Sequence, residues 1–397
     1  MSMARSSFST LPFNPAVLRW ARLLGDYSLE EAGKAANVPA SKIDDWENKD
    51  AVPTVRQARL LADLYKRPFL EFFAATIPQL PKIELVPDFR LNNKGATPLG
   101  EKTLREVQEW AETQRLNAID LFEMNSEEIP KFPKTLYATE NSDPEAIAVK
   151  ARKAIDFPIS KQLSLRGNDK QNFSKILRHK LEEIGVLIFK DARLKECNAR
   201  GLCAFHELLP IIIIGSEAPA GSAFTLIHEF GHIILKQSAV SGSVLPRTST
   251  QNIARIETWC NKFASAFLMP EATVRDMVPN TRMVPEISDA ELGGYARNFS
   301  VSSHAMLVRL VQLKLVNEKY YWEVKRSQFL QEESQFKAGG RSTYYGSRYR
   351  SHNGDLYTGL VLDAWTSGRI TNHNAAEYMG IKNLSHLFDI RKHFNAE

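Results

Sequence analysis

Residues 223–235 read AFTLIHEFGHIIL, an apolar run interrupted by His228, Glu229 and His232. An α-helix turns once in about 3.6 residues, so two histidines four apart project from one face and their rings can converge on one point. Burying three such polar groups with no task for them is costly. On a helix, the pattern H-E-x-x-H lets two imidazoles hold one zinc ion while the glutamate between them serves as general base toward a bound water. A helix with two satisfied core histidines is the plain alternative, but it leaves Glu229 unexplained.

Catalytic zinc needs three protein ligands and an open fourth position, so a third ligand must come from elsewhere in the chain. The candidate lies in IARIETWCNKFASAFLMP (253–270), a second helical pattern that Pro270 ends. Glu257 and Asn261 sit four apart on one face, and Ile256, Cys260, Phe263, Phe267 and Leu268 form the apolar side. Glu257 is the expected third ligand. Asn261, one turn on, is placed to hydrogen-bond the far nitrogen of a ligand histidine and so fix its tautomer. The competing reading is a solvated glutamate on a helix surface. His206, in LCAFHE, is a further candidate near the site, although a lone histidine on a strand is more often structural. Arg255, His206, Tyr295 and His304 are unranked candidates for the donor that an oxyanion requires.

Working outward, NFSKILRHKLEEIG (172–185) reads as a helix closed by Gly185, and VLIFKD (186–191) follows as a strand. RGLCAFHELLPIIIIGSE (200–217) reads as two strands around Leu209 and Pro210, the second continuously apolar and so buried on both faces. The edge near RGLCAF is the expected place for an extended substrate to pair. Amphipathic helices at 101–124 and 143–157 complete an α+β domain, with the histidine helix packed across a small sheet.

Residues 15–73 read instead as short helices separated by polar breaks. Ser28 with Glu31 is a capping box, and Ser41 is a second N-cap candidate after Asn37-Val38-Pro39. Leu18, Leu24, Leu29, Ala32, Ala36, Val38, Ile43, Trp46, Leu60, Leu61 and Leu64 could supply one small core. Residues 77–100 are proline-rich without helical period and read as a linker. Toward the other end, KAGGRSTYYGSRYRSHNG (337–354) mixes arginine, tyrosine and glycine. It reads as a surface loop, with nucleic-acid binding by stacking and phosphate contact as the functional alternative. Beyond it, three short helices broken at Gly368 and Gly380 suggest a lid or partner-binding module.

With 43% hydrophobic and 24% charged residues, 397 residues allow two or three globular domains and exclude a disordered chain. A net charge of +5 is too mild to identify an anionic partner. Cys197, Cys203 and Cys260 are too few and too irregular for a disulfide framework or zinc ribbon, which suits a reducing cytoplasm. No apolar run reaches the ~18 residues of a membrane helix and no signal-peptide layout opens the chain, so a cytoplasmic protein without a membrane partner is expected.

Residues 16 to 73 resemble a helix-turn-helix domain of the Xre (lambda-repressor-like) family, with a capped helix, a turn at ANVPAS, a helix ending in WE and a later leucine helix. In that family the helix near Ser41 enters the major groove, which makes Ser41, Lys42 and Lys49 the expected DNA contacts. Asp44, Asp45, Glu47 and Asp50 depart from the usual basic support, while Arg19, Arg22, Arg56 and Arg59 restore some of it. The other role for such a fold is protein contact or homodimerisation. FTLIHEFGHIIL followed by ETWCNKFASAFLMP, with PIIIIGSE before it and VPDFR joining the Xre-like domain, is similar to the ImmA/IrrE family of metallopeptidases.

The resemblance implies Zn²⁺ at His228, His232 and Glu257, Glu229 as catalytic base, and limited cleavage of a helix-turn-helix repressor or antitoxin. The alternative is a DNA-binding regulator or antitoxin that uses an inactive or latent metallopeptidase fold as a protein-binding platform. The expected α+β architecture is an all-α helix-turn-helix domain (1–76), a linker (77–100), a zincin-like metallopeptidase domain with a small sheet (101–325), a basic and aromatic loop (326–354) and a C-terminal helical module (355–397).

Overall fold

The computed structural model describes residues 13–48, 51–65, 67–78, 98–242, 251–278, 283–335 and 344–394. The proposed linker and its VPDFR segment fall mostly outside the described residues, as does Lys49. The chain divides into two compact units, Met1–Ile83 and Glu84–Glu397.

The first unit is helical: α1 (Pro15–Leu24), α2 (Leu29–Ala36), α3 (Ala40–Glu47) and α4 (Val55–Tyr65), then a 3₁₀ turn at Phe69–Phe73. Asn14 caps α1 with Pro15 at its first position, and Ser28 and Glu31 close a capping box on α2. Asn37 ends α2 in the left-handed region at φ 56°. A Cβ on Gly33 would lie 2.7 Å from the Val38 carbonyl, so only glycine allows this tight turn between α2 and α3. The expected N-cap at Ser41 is displaced. Pro39 takes that position in extended conformation, Ala40 begins the helix, and no side chain caps it. Val17, Leu18, Ile43, Trp46, Leu61 and Phe72 form the centre of a separate core.

In the second unit, α5 (Pro98–Asn125), α6 (Pro144–Ala154), α7 (Ile159–Ser164), α8 (Gly167–Gln171) and α9 (Phe173–Glu182) precede the sheet. The strands β1 (Leu187–Lys190), β2 (Ala199–Ala204) and β3 (Ile211–Ile214) lead into α10 (Pro219–Ile234), β4 (Ala239–Gly242) and α11 (Gln251–Leu268). Among the described residues eight α-helices follow, with a π-helical turn at Tyr320–Lys325: α12 (Glu271–Met277), α13 (Asp289–Phe299), α14 (Ser303–Gln312), α15 (Arg326–Gln335), α16 (Tyr345–Asn353), α17 (Asp355–Thr366), α18 (Asn372–Tyr378) and α19 (Ser385–Phe394). No described helix is long and apolar enough to cross a membrane.

The sheet order is β1-β3-β2-β4, with β1 parallel to β3 and the other pairs antiparallel. β2 is therefore bonded on both sides, and the edge expected near RGLCAF is not free. The edge on that side of the sheet is β4. Successive strand residues point to opposite faces, which explains the four-isoleucine run. Ile212 and Ile214 enter the core shared with α9, α10 and α11, while Ile211 and Ile213 enter a second core with α5, α17 and α19.

A sheet apolar on both faces needs cover on both. The C-terminal helices provide it, so residues 355–394 pack as a layer of this unit rather than stand apart as a lid. The loop expected at 326–354 is likewise largely helical where described, as α15 and α16. Gly346 lets α16 approach α19 closely, since a Cβ there would lie 2.7 Å from the Asp389 carbonyl.

Candidate metal centre

Pro219 opens α10 at its first helical position, and twelve of the sixteen residues of that helix are buried. α11 crosses it at Gly231, where an added Cβ would stand 3.1 Å from the Phe263 ring and 3.4 Å from the Cys260 Cα. This crossing sets Glu257 and Asn261 opposite His228 and His232.

The Nε2 atoms of His228 and His232 lie 3.2 Å apart. Glu257 Oε2 is 3.4 Å from the first and Oε1 is 3.2 Å from the second. Ligand atoms about 2.05 Å from a tetrahedral zinc ion are separated by about 3.3 Å, so the donor set fits the metal in both type and spacing. Asn261 Oδ1 is 3.1 Å from His228 Nδ1. An amide oxygen only accepts, so Nδ1 carries the proton and Nε2 keeps its lone pair free for a ligand bond. His228, His232 and Glu257 are all buried, and no lysine or arginine among the described residues pairs with the cluster. Burial would raise the Glu257 carboxyl, but the two imidazoles hold it well below the usual carboxylate range.

Glu229 is 0% exposed, and neither carboxylate oxygen makes a hydrogen bond of good geometry. Burial pushes its carboxyl above the ordinary value against the opposing pull of His228 and His232. The space for this carboxylate comes from the sheet. A Cβ on Gly201 would run into the Glu229 side chain, with the Cγ and Cδ each 2.8 Å away, so glycine at this point of β2 leaves the carboxylate its room. Ser241 on β4 is the cross-strand partner of Gly201, and its hydroxyl favours the charged form of Glu229. Cys203 and Cys260 lie nearby, and burial pushes both thiols far up, which makes them packing residues.

Sequence reading missed Gly201, Gly231 and Ser241. An isolated glycine inside a strand pattern or a helix pattern is the signal that points to close approach. The oxyanion candidates are occupied elsewhere or in the core. His206 pairs with Glu112 of α5 at 3.0 Å, Arg255 donates to Asn141 at 2.8 Å, and His304 meets the Tyr321 hydroxyl at 3.0 Å and stacks on Phe329. Tyr295 packs half-buried against the core on the α10 face.

In the first unit, Ser41 and Lys42 are exposed on α3, and Lys42 lies 3.4 Å from Asp45. Arg22 and Glu47, expected to face a partner with opposite effects, instead bind each other in the interior through two bonds of 2.7 and 2.8 Å. Neither charge contributes to the outer surface of α3, which leaves Asp44 and Asp45 against Lys42.

Neither curated proteins nor solved structures gave a match to this chain. Two family models do match, the IrrE N-terminal-like domain of a metallopeptidase family over residues 181–311 and a helix-turn-helix domain over residues 18–72. The first span runs from the end of α9 through the sheet to α14, and the second from α1 to the 3₁₀ turn. Residues 181–311 are thus an IrrE N-terminal-like metallopeptidase domain, carried on the same chain as a helix-turn-helix domain.

Proposed function

We propose that the chain is a zinc-dependent endopeptidase that makes a limited cut in a helix-turn-helix repressor or antitoxin and so switches gene expression. The observation that carries this reading is the convergence of the His228 and His232 Nε2 atoms, 3.2 Å apart, with the Glu257 carboxylate, whose two oxygens lie 3.4 and 3.2 Å from them, and with Glu229 next to His228 in the chain. His228, His232 and Glu257 would hold the ion, and Asn261 orients the His228 ring. When bound, zinc supplies Lewis acidity toward a water and a peptide carbonyl. Glu229 takes a proton from the attacking water on one carboxylate oxygen and returns it to the leaving amide nitrogen. Burial raises its carboxyl above the ordinary value, which makes it a stronger proton acceptor. β4, which bears Ser241 and ends the sheet among the described residues, pairs with an extended substrate segment and brings it alongside the base. Through Ser41 and Lys42 the helix-turn-helix unit binds DNA, and the site of action is the cytoplasm, where the three buried free cysteines stay reduced.

A second reading rests on the complete burial of Glu229 and His232. It makes the chain a metal-holding regulator that binds its partner without cutting it. Co-expression with the helix-turn-helix proteins encoded nearby separates the two. Cleavage by the wild type and not by Glu229→Gln, with zinc retained in both, is the expected result. Full zinc with identical partner integrity in every pairing would select the second reading, and absence of zinc would remove both.

A further inference from the structure

The helix α19 carries an outward face that the proteolytic reading does not use. Phe388 has Leu384 four residues before it and Arg391 and Lys392 three and four after it, so the four side chains share one side of the helix. All are exposed, and Phe388 keeps 52% of its surface in water. Trp365, near the end of α17, meets the Phe388 ring edge-on with centroids 5.4 Å apart, and its indole N–H donates to Asn372 Oδ1 at 2.6 Å, which fixes the ring. The Arg391 guanidinium lies over both rings, 5.3 and 5.6 Å from their centroids. On the other flank of α19, Tyr345 of α16 stacks on His386 and carries the Arg348 guanidinium at 5.3 Å. A guanidinium stacked by its face keeps its N–H edges for a further acceptor. Among the described residues none of Arg348, Arg391 and Lys392 pairs with a carboxylate, and the single acid of α19, Asp389, lies on the flank next to α16. Exposed rings and unpaired positive charge thus alternate across one surface.

We propose that this face binds single-stranded DNA. A duplex keeps its bases stacked on one another, and an acidic peptide supplies charge without flat apolar faces. A single strand supplies both at every nucleotide, a phosphate for Arg391, Lys392 or Arg348 and a base for Phe388. The deoxy form fits better than the ribo form: the surface of Leu384 and Phe388 offers a 2′-hydroxyl no partner, and the Trp365 N–H is already taken. The arginine- and tyrosine-rich stretch of the sequence contributes through its helical part, where Tyr345 and Arg348 stand on α16. This surface shares no residue with the metal centre or with the helix-turn-helix unit.

The test titrates the full chain into a fluorescein-labelled DNA strand of about 15 nucleotides and reads anisotropy, with excess unlabelled duplex of the same sequence present to occupy any duplex site. Saturable binding that weakens with salt is expected. Phe388→Ala removes an exposed ring and leaves the charge; it should lower affinity about 5- to 150-fold with the salt slope unchanged, and Phe388→Trp should restore it. Arg391→Ala should weaken binding and reduce the slope of log affinity against log salt by about 0.7. An RNA strand of the same sequence should bind more weakly. Absence of saturable binding, or wild-type affinity in both alanine variants, overturns the site. A loss confined to Arg391→Ala leaves only a contact for polyanions and overturns the stacking, and RNA binding as tight as DNA overturns the choice of strand. Capture by phosphatidylglycerol vesicles without binding of either strand assigns the face to a membrane and overturns the proposal.

Discussion

Among the described residues of the second unit, two clusters bring histidine and carboxylates within metal-binding distance of one another: His228, His232 and Glu257, and His179, Glu182 and Asp355. They differ in what already balances their charge. Glu182 accepts from Arg178 at 3.1 Å and from the first two amides of α17, those of Asp355 and Leu356, at 3.0 and 3.3 Å. Asp355 is held by Arg350 at 2.7 Å. Two guanidinium groups and a helix N-terminus complete that cluster without an ion. Around Glu257 the only charge partners among the described residues are the two imidazoles, which are neutral as metal ligands. Similar donor atoms thus make an architectural joint in one place and, on the reading proposed above, a metal site in the other, and the presence or absence of arginine separates them.

The largest test of this contrast is metal content. His232→Ala or Glu257→Ala should lose zinc from the purified protein, whereas Glu182→Gln should keep the full amount; equal zinc in all three would erase the distinction. Next in size, Glu229→Gln should retain zinc and lower cleavage by about 10²–10⁴-fold, as expected for removal of a general base, in a timed gel assay with the identified substrate. Arg178→Ala leaves Glu182 buried beside α17 without its guanidinium and should cost about 3–5 kcal/mol in urea unfolding, with zinc content intact. A smaller effect is expected from Asn261→Ala, which should weaken zinc binding about 10–100-fold in competition with a chelator, with Asn261→Asp restoring much of it.

The smallest effect concerns a third histidine–carboxylate contact, Glu112 with His206. Burial would raise the Glu112 carboxyl, but bonds from His206 and Arg115 bring it from 4.5 down to about 2. A carboxyl whose folded pKa is depressed adds stability above its unfolded pKa, and that part is lost as pH falls through the folded value. Unfolding midpoints should therefore drop between about pH 4.5 and 2, and Glu112→Gln should flatten that limb. An unchanged limb would mean that the contact carries no stability.

Local patterns made part of the molecule legible. Four-residue spacing put His228 with His232 and Glu257 with Asn261, and the fold sets the two pairs face to face. The isoleucine run announced a strand buried on both sides. What stayed hidden depends on pairings far apart in the chain. Gly201 and Ser241 meet across β2 and β4 only because the strand register aligns them beneath Glu229. Arg22 and Glu47 look like surface charges because neither spacing nor composition reveals that α1 and α3 bury them together. The C-terminal helices announced themselves as helices, but nothing in their own periodicity says which sheet face they cover.

That last feature sets how this protein can be cut and recombined. The span 181–311 carries the motif, yet expressed alone it would leave Leu187, Phe189, Ile211, Ile213 and Val240 bare to water on one side of the sheet. A crossover upstream of α5 separates two bodies with cores of their own, whereas one after α14 severs a sheet from its roof. The unit that buries its own sheet is therefore the whole stretch from α5 to α19, more than twice the length of the motif-bearing part, and a gene fusion that trims its tail would carry an aggregation-prone sheet along with His228, His232 and Glu257.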